Sequence, residues 1–225
     1  MTVAALAEIA DRVRGLFPCP VAVCAEGIGA SEAELWPVEA EAMRAAVPRR
    51  RAEFAAGRAV ARRAIAELGL PPVAIPMQPD RSPGWPAGVA GSITHTDVLA
   101  LAAVARAEVI AAIGIDAEPD EPLPSGVAEM VCRPEERAWC ATMPDPARAE
   151  RLIFVAKEAA YKCQYPLSRA GLEFDALSIE AAADGALVAR FTLPAGPFAT
   201  GDRLSGRAAR CGGLVIAAFA LPHRP

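Results

Sequence analysis

The chain has 225 residues, 53% apolar and 22% charged, far from the composition that stays disordered, and its length suits one large domain or two small halves sharing a core. Its 23 basic and 27 acidic residues give a net charge of −4, which excludes a nucleic-acid-coating protein and leaves any anionic ligand to be met by local positive charge. The longest apolar runs reach seven or eight residues, against about 20 for a membrane span, and Glu8, Asp11 and Arg12 interrupt the pattern of a secretory leader, so a cytoplasmic protein is expected.

Thr2 caps a predicted helix to Arg14, and Ser31 with Glu34 forms a capping box. The N-terminal third reads as helical, with a long helix over 49–68 in which Phe54, Ala61, Ile65 and Leu68 recur at helical spacing before Gly69, Pro71 and Pro72 end it. Prolines at 71, 72, 76, 79, 83 and 86 predict an ordered loop over 71–91. The apolar runs 98–105 and 109–116, joined by Arg106, Ala107 and Glu108, predict a hairpin of buried strands where the sheet begins. Pro134 starts a short helix. Asp145 and Pro146 then supply the cap and first-turn proline of a helix reaching about Tyr165 and stopped by Pro166. Runs over 177–181, 186–193, 204–211 and 214–221, separated by glycine- and proline-bearing turns, predict an antiparallel meander. Helices followed by strands thus occur twice, without a visible residue-level repeat. The class is α+β, organised as an N-terminal half (1–110) and a C-terminal half (111–225). Six cysteines with no C-x-x-C pair, and two histidines, predict reduced thiols rather than a zinc site.

Four constellations carry possible chemistry. Asp116 and Glu118 end an apolar strand two residues apart, so both carboxylates face one side and can offer oxygen to Mg²⁺; alone, the pair reads first as an ordinary solvated strand end, and the buried run before it raises the metal reading. Glu158 and Lys162 share a helix face, as do Arg151 and Glu158. The plain reading is a surface ion pair, and the sharper one a third metal carboxylate or base, with Lys157 and Lys162 offering charge to phosphate. Ser92, Thr94 and His95, after the proline loop, can approach an anion closely. Arg51, Arg58 and Arg62 form a helical stripe preceded by Arg49 and Arg50, and Arg81 can extend it.

Taken together, Arg51-x-Glu53-Phe54-x-x-Gly57-Arg58, Trp85-Pro86-x-Gly88-x-x-Gly91-Ser92-Ile93-Thr94-His95, Gly114-Ile115-Asp116-x-Glu118 and Phe154-x-x-Lys157-Glu158-x-x-x-Lys162 occur in an order that resembles the 4′-phosphopantetheinyl transferases, in particular the larger monomeric type that includes enterobactin synthetase component D and actinobacterial relatives. The resemblance implies two similar α+β halves facing each other across an active-site cleft. It implies transfer of 4′-phosphopantetheine from coenzyme A to a serine of an apo acyl or peptidyl carrier protein, with release of adenosine 3′,5′-bisphosphate. By the same resemblance Asp116, Glu118 and Glu158 ligate Mg²⁺, Glu158 also draws the serine proton, Lys162 stabilises phosphate charge, and Lys157 assists binding. Arg51, Arg58, Arg81 and His95 contact coenzyme A phosphates, with Ser92 and Thr94 lining that loop. Ala117 departs from members with a third oxygen-bearing side chain there, which leaves that position to water. Arg133, Met130 and Val131 are the expected carrier-docking patch. The alternatives are a Mg²⁺-dependent pyrophosphate hydrolase, using the same carboxylates with water as nucleophile, and a non-catalytic coenzyme A-binding module, needing the arginines and His95 but not three acids.

Overall fold

The computed structural model describes residues 1–29 and 35–223, so the capping box expected at Ser31 and Glu34 lies outside the described residues. Helix α1 (Val3–Arg14) starts where Thr2 Oγ1 accepts from the amide of Ala5 at 3.2 Å. The N-terminal third is not helical throughout, because strand β1 (Ala22–Gly27) comes next. Helices α2 (Pro37–Ala42) and α3 (Pro48–Glu67) follow, each opened by a proline whose missing N–H costs nothing in a first turn. The proline loop is held by a bridge between Met77 and Pro83 and ends at β2 (Val89–His95), so Gly91 belongs to the strand. The hydroxyl of Thr96 accepts from the amides of Val98 and Leu99 and turns the chain into β3 (Leu99–Arg106).

The hairpin expected between 98–105 and 109–116 does not form. β3 already has β1 on one edge and β2 on the other, so it offers no edge to a further strand. The chain instead crosses to a second sheet, in which β4 (Ile110–Pro119) pairs with β8 (Leu214–Pro222). The predicted meander is present as β5 (Leu177–Ala181), β6 (Ala186–Phe191), β7 (Arg203–Cys211) and β8, giving the order β4-β8-β7-β6-β5. Between β4 and β5 run α4 (Val127–Val131), α5 (Pro134–Cys140) and α6 (Pro146–Ser168). Pro166 does not stop α6. So near the C-terminus it removes one backbone bond from the last turn, and the helix ends at Arg169 in the left-handed region (φ 53°).

Strand alternation divides the interior into three layers. Ala100, Ala102 and Val104 of β3 pack with Ala56, Val60 and Ile65 of α3. The opposite face, with Leu99, Leu101 and Ala103, meets Ile113 and Ile115 of β4 and Ile216 of β8, so the halves share a core. The third layer joins Ile153, Val155 and Ala159 of α6 to Val215, Ala217 and Phe219 of β8. The close approach of α6 to β4 depends on Gly114: a Cβ there would lie 2.0 Å from Ala159 O and 2.4 Å from Cys163 N.

Each half also contains a buried glutamate at the third position of a short helix. Glu39 accepts from the amides of Trp36 and Ile75 and pairs with Arg62 of α3 at 2.7 Å. Glu136 accepts from the amides of Arg133 and Ile179 and pairs with Lys157 of α6 at 2.7 Å. No helix among the described residues is long and apolar enough to cross a membrane.

Candidate active site

Where the two halves meet, α3, the proline loop and β2 face β4 and the C-terminal part of α6 across a cleft of about 730 Å³, a size suited to a small-molecule ligand. Arg50, Arg58, Arg81, Lys162 and Arg169 on its walls outnumber the carboxylates of Glu53, Asp80 and Asp116. The cleft therefore supplies the local positive charge that an acidic chain needs to hold an anion.

The alternation of β4 turns Gly114, Asp116 and Glu118 to one face, and the missing Cβ of Gly114 lets α6 lie close over it. Asp116 is 4% exposed. Its Oδ1 accepts from Lys162 Nζ at 2.7 Å and from Thr94 Oγ1 at 2.9 Å, while its Oδ2 is buried with no donor among the described residues. Burial pushes the Glu118 carboxyl above its ordinary range, and the charge of Asp116 adds to this. Burial does the same to Glu158, again helped by Asp116 and opposed by Lys162. Arg151 Nη1 lies 3.5 Å from Glu118.

The strand pair and the helical glutamate thus share one electrostatic neighbourhood, although among the described residues no group of three acidic, histidine or cysteine side chains is already gathered around a metal position. The donors fit Mg²⁺. All are oxygens, one is a buried carboxylate oxygen lacking a donor among the described residues, and two of the three carboxylates are held above their ordinary range by burial and by the charge of Asp116, which a nearby cation would offset. Mg²⁺ needs only one or two protein carboxylates beside water and phosphate oxygens.

On the opposite wall, His95 Nε2 lies 2.8 Å from Arg50 Nη1. A guanidinium only donates, so this imidazole nitrogen accepts and the ring is neutral, consistent with burial pushing His95 below its ordinary value. Arg50, not Arg51, is the arginine of the α3 N-terminus among the described cleft residues. The cleft face is spaced 50, 53, 54, 57, 58, and Arg51 sits one step round the helix from it. Arg58 lines the cleft but is 6% exposed, donating to Ile75 O at 2.7 Å with its guanidinium 4.0 Å over the Phe54 ring. Its burial pulls its pKa down to about 10. Arg62 does not extend the stripe, being paired with Glu39 in the core.

Lys157 is also displaced from its expected role. It is 2% exposed, and its ammonium donates to Val131 O and Phe174 O besides pairing with Glu136, so it has no proton left for a phosphate. Adjacent helical residues point about 100° apart, which sends Lys157 into the core and Glu158 toward Asp116. Arg81 lines the cleft in a left-handed conformation (φ 68°). Ser92 and Thr94 line it too, with hydroxyls engaged by the amides of Ile115 and Ala117.

Three residues not anticipated from sequence join the halves across the cleft. Tyr165 donates to Asp80 Oδ2 at 2.9 Å, and Arg169 lies 3.4 Å from the same oxygen. The hydroxyl and amide of Ser82 hold the Asp80 carboxyl down at about 2. With 85 residues between Asp80 and Tyr165, no local pattern signals the contact.

Two family profiles match in tandem: the N-terminal domain of 4′-phosphopantetheinyl transferases over residues 38–105, and the 4′-phosphopantetheinyl transferase superfamily over 112–215. The chain is 46% identical to 4′-phosphopantetheinyl transferase Svp of Streptomyces mobaraensis over 83% of its own length and 78% of that protein's. It is 38% identical to 4′-phosphopantetheinyl transferase PptT of Mycobacterium tuberculosis over 82% and 85%. Against enterobactin synthase component D of Salmonella typhimurium it is 36% identical over 57% and 54%. With similarity running through both halves and through every element that walls the cleft, the chain belongs to the 4′-phosphopantetheinyl transferase superfamily.

Proposed function

We propose that the protein moves 4′-phosphopantetheine from coenzyme A to a serine hydroxyl of an apo acyl or peptidyl carrier protein, releasing adenosine 3′,5′-bisphosphate, with coenzyme A held in the cleft between the halves. The relatives' shared name supports the transfer. The observation that carries the site assignment is Asp116, buried on the cleft wall with one oxygen accepting two hydrogen bonds and the other without a donor among the described residues.

Asp116, Glu118 and Glu158 would hold Mg²⁺, which neutralises the pyrophosphate and makes its phosphorus more electrophilic when bound. Arg50, Arg58, Arg81 and His95 bind and orient the coenzyme A phosphates along the opposite wall, and Ser92 and Thr94 shape the floor beneath them. Glu158, made more basic by burial and by Asp116, takes the proton of the incoming serine hydroxyl. Lys162, already on Asp116, follows the negative charge as it shifts to the leaving phosphate. Bringing donor and acceptor together in one cleft supplies much of the rate.

Incubation with coenzyme A, Mg²⁺ and a panel of apo carrier proteins, read by intact mass, tests this. One carrier gaining a phosphopantetheine, and none gaining it in EDTA, is the expected result. Coenzyme A cleavage without any labelled carrier would instead support the hydrolase chemistry.

A further inference from the structure

We infer that Thr94 is a positioning residue: its hydroxyl commits one oxygen of Asp116 and thereby presents the other to the metal. This rests on the site reading above. β2 and β4 lie side by side in different sheets, and hydroxyls close the seam between them. Ser92 Oγ accepts from the Ile115 amide at 3.0 Å, and Thr94 Oγ1 accepts from the Ala117 amide at 3.4 Å. An amide can only donate, so the hydroxyl proton of Thr94 is directed elsewhere, and Asp116 Oδ1 lies 2.9 Å away.

Thr94 and Asp116 are each 4% exposed, so solvent does not compete for that proton. Lys162 reaches the same Oδ1, but a flexible ammonium with three rotatable donors can follow either carboxylate oxygen. Threonine is stiff at χ1 and anchored on a strand. It is therefore the group that distinguishes the two oxygens, leaving Oδ2 buried and donor-free among the described residues. Its single proton being used, Thr94 acts on Asp116 rather than as a hydrogen-bond donor to a phosphate.

The test compares Thr94→Val, which keeps shape without the hydroxyl, with Thr94→Ser, which keeps the hydroxyl. Mn²⁺ binding to the full-length protein is measured by calorimetry, and coenzyme A affinity is measured separately without metal. Thr94→Val should weaken Mn²⁺ binding about tenfold, as expected for loss of a charge-assisted hydrogen bond, and leave coenzyme A affinity within about twofold. Thr94→Ser should restore the wild-type metal value.

Thr94→Ala, which removes the hydroxyl without adding bulk and carries the same expectation, replaces Thr94→Val should that variant fail to fold. Ser92→Ala, which opens the same seam without touching Asp116, controls for general loosening. It should lower the melting temperature while Mn²⁺ affinity stays within about twofold. The inference is overturned if Thr94→Val weakens coenzyme A binding but not Mn²⁺ binding, if Thr94→Ser is as impaired as Thr94→Val, or if Ser92→Ala loses Mn²⁺ affinity equally. Wild-type protein that binds no Mn²⁺ overturns it together with the metal part of the functional reading. Carrier labelling that fails while the metal results hold overturns only that reading.

Discussion

Replacing Gly114 by alanine tests whether the position of α6 over β4 is set by a single missing side chain. The added Cβ would lie 2.0 Å from Ala159 O, 2.4 Å from Cys163 N and 2.9 Å from Cys163 Cβ. The first two are backbone atoms of α6, so no rotamer change relieves the clash. Restoring ordinary contact at about 3.4 Å or more requires the helix to back away from β4 by over an ångström. Overpacking of this kind costs about 1–3 kcal/mol, and at roughly 2–4 °C per kcal/mol for a chain of this size the melting temperature should fall by about 2–12 °C. Glu158 and Lys162 immediately precede the clashing residues Ala159 and Cys163, so they move with them. A misplacement of about 1 Å can cost on the order of 10²-fold in rate, and that is the expected fall in kcat for carrier labelling. Gly171→Ala, where nothing lies within 4 Å, is the control. Thermal melts with steady-state labelling decide the matter: a folded Gly114→Ala protein with unchanged Tm and kcat would show that the α6–β4 spacing does not set the site.

Glu158→Gln should abolish transfer while leaving coenzyme A affinity within a few-fold, since the lost base and ligand act in the transition state; near-normal labelling would refute Glu158 as base. His95, held neutral and below its ordinary value by burial, should take up a proton when an anionic phosphate displaces its Arg50 contact, so coenzyme A affinity falls as pH rises through the bound-state value. Calorimetry near pH 6.5 in two buffers of different ionisation enthalpy measures that uptake, and identical heats would contradict it. In the absence of ligand the unfolded chain binds the His95 proton more readily, so this group's contribution to stability is lost as pH falls below its ordinary value and through the folded one. Lys157→Met leaves Glu136 buried without its cation, which costs about 3–5 kcal/mol. A urea melt should show that loss while the KM for coenzyme A stays unchanged; a raised KM with unchanged stability would place Lys157 at the ligand after all.

The elements that carry their own punctuation were legible. Thr2 and Asp145 cap the helices they precede, and the four C-terminal strands lie where turn residues separate apolar runs. Long-range pairing was not. The run at 98–105 looks equally ready to pair with 109–116, and only the occupation of both β3 edges by β1 and β2 sends β4 to β8, with about a hundred residues between the two partners. The site divides the same way. Periodicity and family resemblance single out Asp116, Glu118, Glu158 and Lys162, and the structure brings them into one electrostatic neighbourhood, whereas the placement of Arg50 and Lys157 depends on helical phase. One step round α3 exchanges Arg50 for Arg51 at the cleft, and one step round α6 exchanges a core cation for the carboxylate proposed as base.

A correspondence between the halves is concealed for a related reason. Glu39 and Glu136 perform the same task, each capping its own short helix, taking an amide from a segment beyond the long helix and neutralising a buried cation on that helix. The sequences around them, Trp36-Pro37-Val38-Glu39 and Arg133-Pro134-Glu135-Glu136, share only the proline and the glutamate. The paired cation is arginine in one half and lysine in the other. What the two halves retain is a charge sign and a hydrogen-bonding geometry, which a buried glutamate can satisfy with either cation. The cleft-facing positions differ. The first half presents Arg50, Arg58 and His95 to an anion, and the second presents Asp116 and Lys162, with Glu118 and Glu158 in electrostatic reach of Asp116. On the proposed reading, attack of a hydroxyl on the pyrophosphate of coenzyme A needs both kinds of wall facing each other, and the two halves supply the facing geometry while their different side chains supply the chemistry.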